Sequence, residues 1–375
     1  MEFPRRAFGR CLFCRGLSAF GGLIIATAVA DGVRTKDLLR GRFIPATDAC
    51  FRYEGRLDTA GADGPVVIWE GSRISLDFTG TQLALKFADA VGQNYFNVEV
   101  DDEPAVIVSA PAGGESLVAC PPLKSGRRHR LVLFKRSEAS AGHVRFAGVE
   151  ISPKAQVWAP PAPDYRLRMI FFGDSITVGA CNEDGAADQW ENRRTHNHAL
   201  SYSTLTAAAL QADYRCIAVS GMGIATGYVP VKAGEVWDRL YPAADSARAD
   251  PPAWQPDVVC INFGENDDSF SRGHGQPFPA GYVPGYVALV KSMRIAYPKA
   301  HFVLLRGGMY GGAKSEPLRM AWDEVMARVE TDDPNVGHFA FSHWTETHPR
   351  VKDDRAMAEE LISWLRQQSF MRRFL

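Results

Sequence analysis

The chain has almost no charge excess of either sign: 42 lysines and arginines against 43 aspartates and glutamates leave −1 over 375 residues. Such a balance provides no electrostatic footprint for nucleic acid or for an anionic membrane surface. Basic runs such as Arg127-Arg128-His129-Arg130 therefore read as solvated loops. Cysteine is sparse. Cys11 and Cys14 fall in an N-terminal leader, which leaves Cys50, Cys120, Cys181, Cys216 and Cys260. That set is odd in number, widely spaced and without a Cys-x-x-Cys, so it holds no metal knuckle and no redox motif. It reads as buried free thiols, with a bridge such as Cys50 to Cys120 possible in an oxidising compartment. Internal repeats and low-complexity tracts are absent too.

The apolar stretch Leu17 to Ala30 is shorter than the roughly 20 residues a spanning helix needs. It follows Arg5, Arg6, Arg10 and Arg15 and ends in Ala28-Val29-Ala30, a small-residue cleavage signature. Residues 1–30 thus read as an export signal, leaving a periplasmic or secreted protein with no membrane segment after its removal. Arg5-Arg6-Ala7-Phe8 is loosely similar to a twin-arginine signal.

The remaining length is too great for a typical single core and predicts two domains. From Cys50 to about Ile151, short alternating runs such as Arg73 to Phe78, Phe96 to Val100 and Arg130 to Phe134 are separated by turn residues, as in antiparallel strands. With no helical period between them, residues 31–158 predict a β-sandwich of jelly-roll type. The Pro-rich stretch Ala159 to Pro163 marks a linker over 159–165. Beyond it, residues 166–375 alternate strand-like runs (Leu167 to Phe172, Cys216 to Val219, Val258 to Phe263, His301 to Leu305) with helical stretches (Leu205 to Leu210, Val283 to Met293, Leu318 to Val329). This pattern predicts a parallel sheet, closed by a last helix on which Met357, Leu361, Trp364, Leu365 and Gln368 share one face.

Four of these segments carry polar residues where open α/β sheets place ligand sites, just past a strand. Gly173-Asp174-Ser175-Ile176 presents a serine, Ser220-Gly221-Met222-Gly223 a flexible backbone, Gly264-Glu265-Asn266-Asp267 a side-chain amide, and His348-Pro349 an imidazole. Singly, each reads as a turn or cap. In this order they resemble the SGNH, or GDSL-type, hydrolases. The chain is similar in particular to carbohydrate esterase family 2, which sets a β-sandwich before the hydrolase domain and keeps a phrase like Lys135-Arg136-Ser137-Glu138 near its end. The likeness runs from about Phe51 to Leu365.

The resemblance implies a flavodoxin-like three-layer α/β/α hydrolase domain. It also implies a cofactor-free esterase acting on acetylated polysaccharides or oligosaccharides, such as xylan or glucomannan of plant type. Ser175 would attack the acetyl carbonyl and His348 would move the proton. The backbone N–H groups of Ser175 and Gly221 and the amide of Asn266 would hold the oxyanion. Gly223 rivals Gly221 as donor. Many SGNH enzymes carry an aspartate three residues before the histidine, where this chain has Thr345. Glu346 is then the nearest carboxylate to orient His348, and a main-chain carbonyl serving a Ser175-His348 dyad is the alternative. For sugar stacking, Trp344 is the best-placed platform, then Tyr310 and Trp190.

Two other chemistries remain on the sequence. His196-Asn197-His198 and His274 raise zinc, but no third ligand is selected and the expectation is no metal. A lipase or general short-chain esterase, or a carbohydrate-binding protein whose second domain has lost activity, would also fit parts of the pattern.

Overall fold

A computed structural model describes residues 41–101, 103–249 and 253–375; the expected leader at residues 1–30 lies outside them. The first part is a sandwich of two six-stranded antiparallel sheets. In one, Arg128–Lys135 pairs with both Arg73–Thr79 and Asn94–Val100; in the other, Gly142–Ile151 pairs with Leu83–Gly92. Period-two alternation turns Ile74, Leu76, Phe78, Phe96, Val98, Leu131 and Leu133 of one sheet onto Leu83, Leu85, Phe87, Val144 and Phe146 of the other. Phe87 stacks on Phe96 across the gap, ring centres 5.2 Å apart.

The second part holds a five-stranded parallel sheet. Reading across it, Ala212–Ala218 lies beside Leu167–Gly173, followed by Val258–Asn262, His301–Met309 and Val336–Thr345. In chain order this is 2-1-3-4-5, the flavodoxin-like doubly wound arrangement, with a crevice where the order reverses at the first strand. The strands' carboxyl ends are level there, Gly173 pairing with Ala218 on one side and Asn262 on the other. Near-continuous apolar runs bury both faces. Met169 and Phe171 pack with the last helix, Val351–Gln367, through Met357, Leu361 and Leu365, whereas Ile170 and Phe172 pack with the helices Tyr282–Ala296 and Glu316–Asp332.

Expected strands and helices coincide with these elements to within a few residues at their ends. The strand before His348 had been given no bounds; it is Val336–Thr345, where exposed positions fall between buried and half-buried ones, so it lacks the apolar run that marks its neighbours. The five cysteines among the described residues are all unpaired, and Cys50 and Cys120 form no bridge.

The two parts share buried surface. Ile68 and Trp69 of the sandwich belong to the same apolar cluster as Phe172 and Trp237, and Trp69 Nε1 donates to Leu240 O at 2.8 Å. Lys135-Arg136-Ser137-Glu138 is buried at this junction throughout. Arg136 donates to Asn97 Oδ1 at 2.8 Å and Arg194 O at 2.8 Å, and pairs with Glu183. Removing one partner of a buried pair strands the other. Arg136→Ala should therefore lower the unfolding free energy by about 3 kcal/mol, read from urea denaturation of the whole chain. A change indistinguishable from zero would mean that water satisfies Glu183 and Asn97 equally well.

Candidate functional site

The four motif segments lie at or just past the carboxyl ends of the parallel strands. Ser175 opens a four-residue helix, Ser175–Val178, directly above the first strand. Asp174 caps it, Oδ1 accepting from Ile176 N at 3.1 Å, and Gly179 in the left-handed region stops it. Ser175 is thereby held at a sharp strand-to-helix turn and is 5% exposed.

His348 follows the edge strand. Its Nδ1 lies 2.7 Å from Asp188 Oδ2, and Asp188 Oδ1 accepts from Arg350 Nη1 at 2.7 Å. Burial works against a charge on Asp188, but the bonds from His348 and Arg350 outweigh it and hold the carboxyl well below its usual range. An ionised Asp188 can only accept a hydrogen bond, so Nδ1 carries the hydrogen and Nε2 is left as the acceptor. Nε2 has no hydrogen-bond partner among the described residues.

This corrects the sequence expectation for the orienting acid. Glu346 is exposed and makes no hydrogen bond to His348, and no main-chain carbonyl takes Nδ1. Thr345 donates instead to Thr347 O at 2.6 Å. Asp188 lies 160 positions away in the chain, in a polar loop with Glu183 and Asp184, and nothing in the local sequence separates it from them. Trp190 closes the back of the imidazole, ring centres 5.6 Å apart, with the Arg193 guanidinium 4.2 Å above the indole. It serves as packing for His348 rather than as an open platform.

The second and third segments meet each other, and the serine turn, at Asn266. Gly221 takes φ +80°, and its N–H has no acceptor among the described residues. Gly223 is glycine for another reason: a Cβ there would lie 1.8 Å from Thr226 O. Asp267 fills that turn, accepting from Ile224 N at 2.8 Å, Ala225 N at 2.7 Å and Thr226 N at 2.9 Å. Asn266 Nδ2 donates to Asp174 Oδ2 at 2.9 Å and to Met222 O at 3.0 Å, so both amide hydrogens are engaged. Glu265 accepts from Gly311 N at 3.0 Å and Gly312 N at 2.9 Å. Three consecutive side chains thus brace three separate segments, and the sequence reading had singled out only the amide.

The short helix that Glu265 holds, Tyr310–Lys314, opens with Tyr310, whose ring lies 6.3 Å from Trp344 in an edge-to-face contact. The pair is half-buried, with Arg272 over Tyr310 and Lys314 over Trp344. A cleft of about 450 Å³ lined by Arg272, Gln276, Phe278, Tyr310, Lys314 and Glu316 adjoins it. The alternating histidines do not converge: His196 Nε2 meets Cys181 Sγ, His198 Nδ1 meets Val178 O, and His274 Nδ1 meets Phe270 O on a separate helix.

Comparison with known proteins gives a consistent relationship. Residues 53–161 match the carbohydrate esterase 2 N-terminal family and residues 171–361 the GDSL-like lipase/acylhydrolase family. A family two carbohydrate esterase from Clostridium thermocellum, solved in complex with cellohexaose, is 31% identical; the alignment covers 84% of this chain and 98% of that one, with TM-score 0.75. The acetylxylan esterase / glucomannan deacetylase of Cellvibrio japonicus is 29% identical over 80% of this chain and 85% of its own length. The cellulase/esterase CelE of Acetivibrio thermocellus is 31% identical over 84% of this chain, which spans only 39% of CelE.

Asp174 joins the serine turn to Asn266, and burial pushes its carboxyl up to about 8. A carboxyl whose pKa is raised on folding binds a proton more tightly in the folded state, so its contribution is full below pH 4 and is lost as pH rises through about 8. Urea midpoints at pH 5 and pH 8.5 should therefore fall more steeply in the parent than in Asp174→Asn. Parallel pH dependences would show that Asp174 stays ionised throughout.

Proposed function

The chain belongs to carbohydrate esterase family 2, and on that premise we propose that it removes O-acetyl groups from plant-type polysaccharides such as acetylated xylan or glucomannan. The observation that carries this reading is the Asp188-His348 pair at 2.7 Å, which leaves Nε2 free on the same sheet edge as Ser175. In the proposed reaction Ser175 Oγ attacks the acetyl carbonyl while His348 Nε2 takes its proton, then returns it to the departing sugar oxygen. Water, activated by the same nitrogen, hydrolyses the acetyl-enzyme. Asp188 fixes the tautomer and stabilises the imidazolium that forms between the two transfers.

The carbonyl oxygen, as it becomes negative, is met by the N–H groups of Ser175 and Gly221 and by Asn266. Asn266 would supply its hydrogen by releasing Met222 O, the main-chain one of its two acceptors. The bond to Asp174 then keeps the amide plane in place. Trp344 and Tyr310 provide the aromatic surface for the sugar ring's C–H face, and the relative solved with cellohexaose supports a β-linked glucan-type chain lying across them. The reading includes export through residues 1–30; among the described residues no helix is long and apolar enough to cross a membrane.

Acetate release from acetylated xylan and acetylated glucomannan tests these roles. Ser175→Ala should abolish turnover, Asp188→Asn should lower kcat on the order of 10⁴-fold, and Glu346→Gln should leave it within about twofold. Full activity in Asp188→Asn, or loss in Glu346→Gln, would reassign the orienting acid. Asn266→Ala should lower kcat by about 100 to 1,000-fold with little change in KM, as for removal of one oxyanion donor. An equal rise in KM would instead make Asn266 a ground-state binding group.

A further inference from the structure

Beside the proposed Asp188-His348 pair lies a donor that the reaction does not use, the Cys181 thiol. Cys181 Sγ, a carboxylate oxygen of Asp188 and a ring nitrogen of His348 all lie within 4.8 Å of one another. His196 Nε2 is 3.4 Å from the same sulfur. We infer that this cluster is an inhibitory site for a divalent metal of the zinc type, set behind the imidazole that serves Ser175. The ion's binding stands on this geometry; its effect on turnover rests on the esterase reading.

The donor set is chemically apt. Zinc takes thiolate, imidazole and carboxylate together, at about 2.3 Å to sulfur and 2.0 to 2.2 Å to nitrogen and oxygen. Tetrahedral ligand atoms at those bond lengths stand roughly 3 to 4 Å apart. The cluster is therefore only slightly wider than an occupied site. His196 is buried, and its Nδ1 has no hydrogen-bond partner, so its only polar contact is the one Nε2 makes with the Cys181 sulfur. Cys181 itself takes φ +56°, a conformation uncommon for a residue other than glycine, asparagine or aspartate. The half-buried Asp188 and His348 leave an approach from the solvent side, while Cys181 and His196 form the closed floor.

Occupation would disable the proposed base by moving one proton. Nδ1 is the nitrogen turned toward Asp188, so it is the one that would bind the ion. A neutral imidazole metallated at Nδ1 carries its hydrogen on Nε2, which then cannot accept the proton of Ser175. Asp188 exchanges the imidazole N–H for the ion and keeps Arg350 on its other oxygen. The Cys181 thiol releases its proton to solvent as it becomes the thiolate ligand. No oxidant or other co-reactant is required.

Full-length protein titrated with ZnCl2 and, separately, CoCl2 tests the site. Cobalt should bind one ion per chain with a thiolate-to-metal charge-transfer band in the near ultraviolet, lost in Cys181→Ala. Zinc should suppress acetate release, a chelator should restore it, and Cys181→Ala should raise the half-inhibiting concentration on the order of tenfold or more with metal-free turnover unchanged. Cys181→Ser, which keeps the volume but offers a poor ligand, gives the same readout if the alanine variant does not fold. Cobalt binding without the band, a band that survives substitution, or equal inhibition of parent and variant overturns the proposal. If the parent releases no acetate the esterase reading fails, and the cobalt spectrum still decides the metal site.

Discussion

A carboxylate taken out of water must be met by donors, and at the C-terminal edge of the parallel sheet that one requirement sets the shape of the site. Glu265 and Asp267 are buried there, and their acceptors are filled by backbone N–H groups left without a partner, those of Gly311 and Gly312 at the start of the short helix Tyr310–Lys314 and those of the turn Ile224 to Thr226. The exchange is reciprocal. Loops at a sheet edge carry peptide groups with no ladder partner, and a buried carboxylate satisfies two or three of them at once. Asn266, between the two acids, can therefore be a precise donor only because its neighbours hold the surfaces it faces.

The same logic crosses the domain junction. Glu138, at the end of the sandwich, accepts from Ser220 N at 2.9 Å, the residue before Gly221, and from Arg193 at 3.0 Å. Glu70, also from the sandwich, accepts from Ala218 N at 3.1 Å and Ala139 N at 3.1 Å. Two acids of the first domain thus fix the path of the chain that leads into the Gly221 turn. Burial pushes Glu70 up to about 7, so its donors offset only part of its desolvation. A junction of this kind is rigid because each polar group lost from it leaves a buried partner behind.

The sheet and its helices were legible because burial on both faces imposes apolar runs and the helices bury one stripe. Four of the five strands follow from that rule, and Val336–Thr345 escapes it because its exposed positions interrupt any apolar run. The motif residues were legible for a different reason: short turns at strand ends restrict residue type strongly. Gly223 shows the limit of that reasoning, since a glycine required by Asp267 and one suited to donate its N–H look alike in sequence. Asp188 shows it again. A side chain that meets its partner from a loop 160 positions away needs no local pattern, only an anchored loop.

What anchors that loop gives the sandwich a part in the chemistry. Arg136 of the sandwich pairs with Glu183 and donates to Arg194 O, while Glu138 holds Arg193, so both ends of the segment carrying Asp188 are tied to the first domain. Arg193 in turn lies over Trp190, and Trp190 packs on His348. From the other side, Arg350 donates to Cys181 O and Val351 N to Asn182 O, which fastens the histidine segment to the start of the same loop. An acid placed three residues before the histidine would need none of this, since the strand that delivers one would deliver the other. Moving the acid onto a separate loop transfers the task of alignment to the elements that hold that loop. Here those elements include the buried Lys135-Arg136-Ser137-Glu138 stretch, so the hydrolase domain alone would carry the serine and the histidine but not the full set of restraints that brings Asp188 to them.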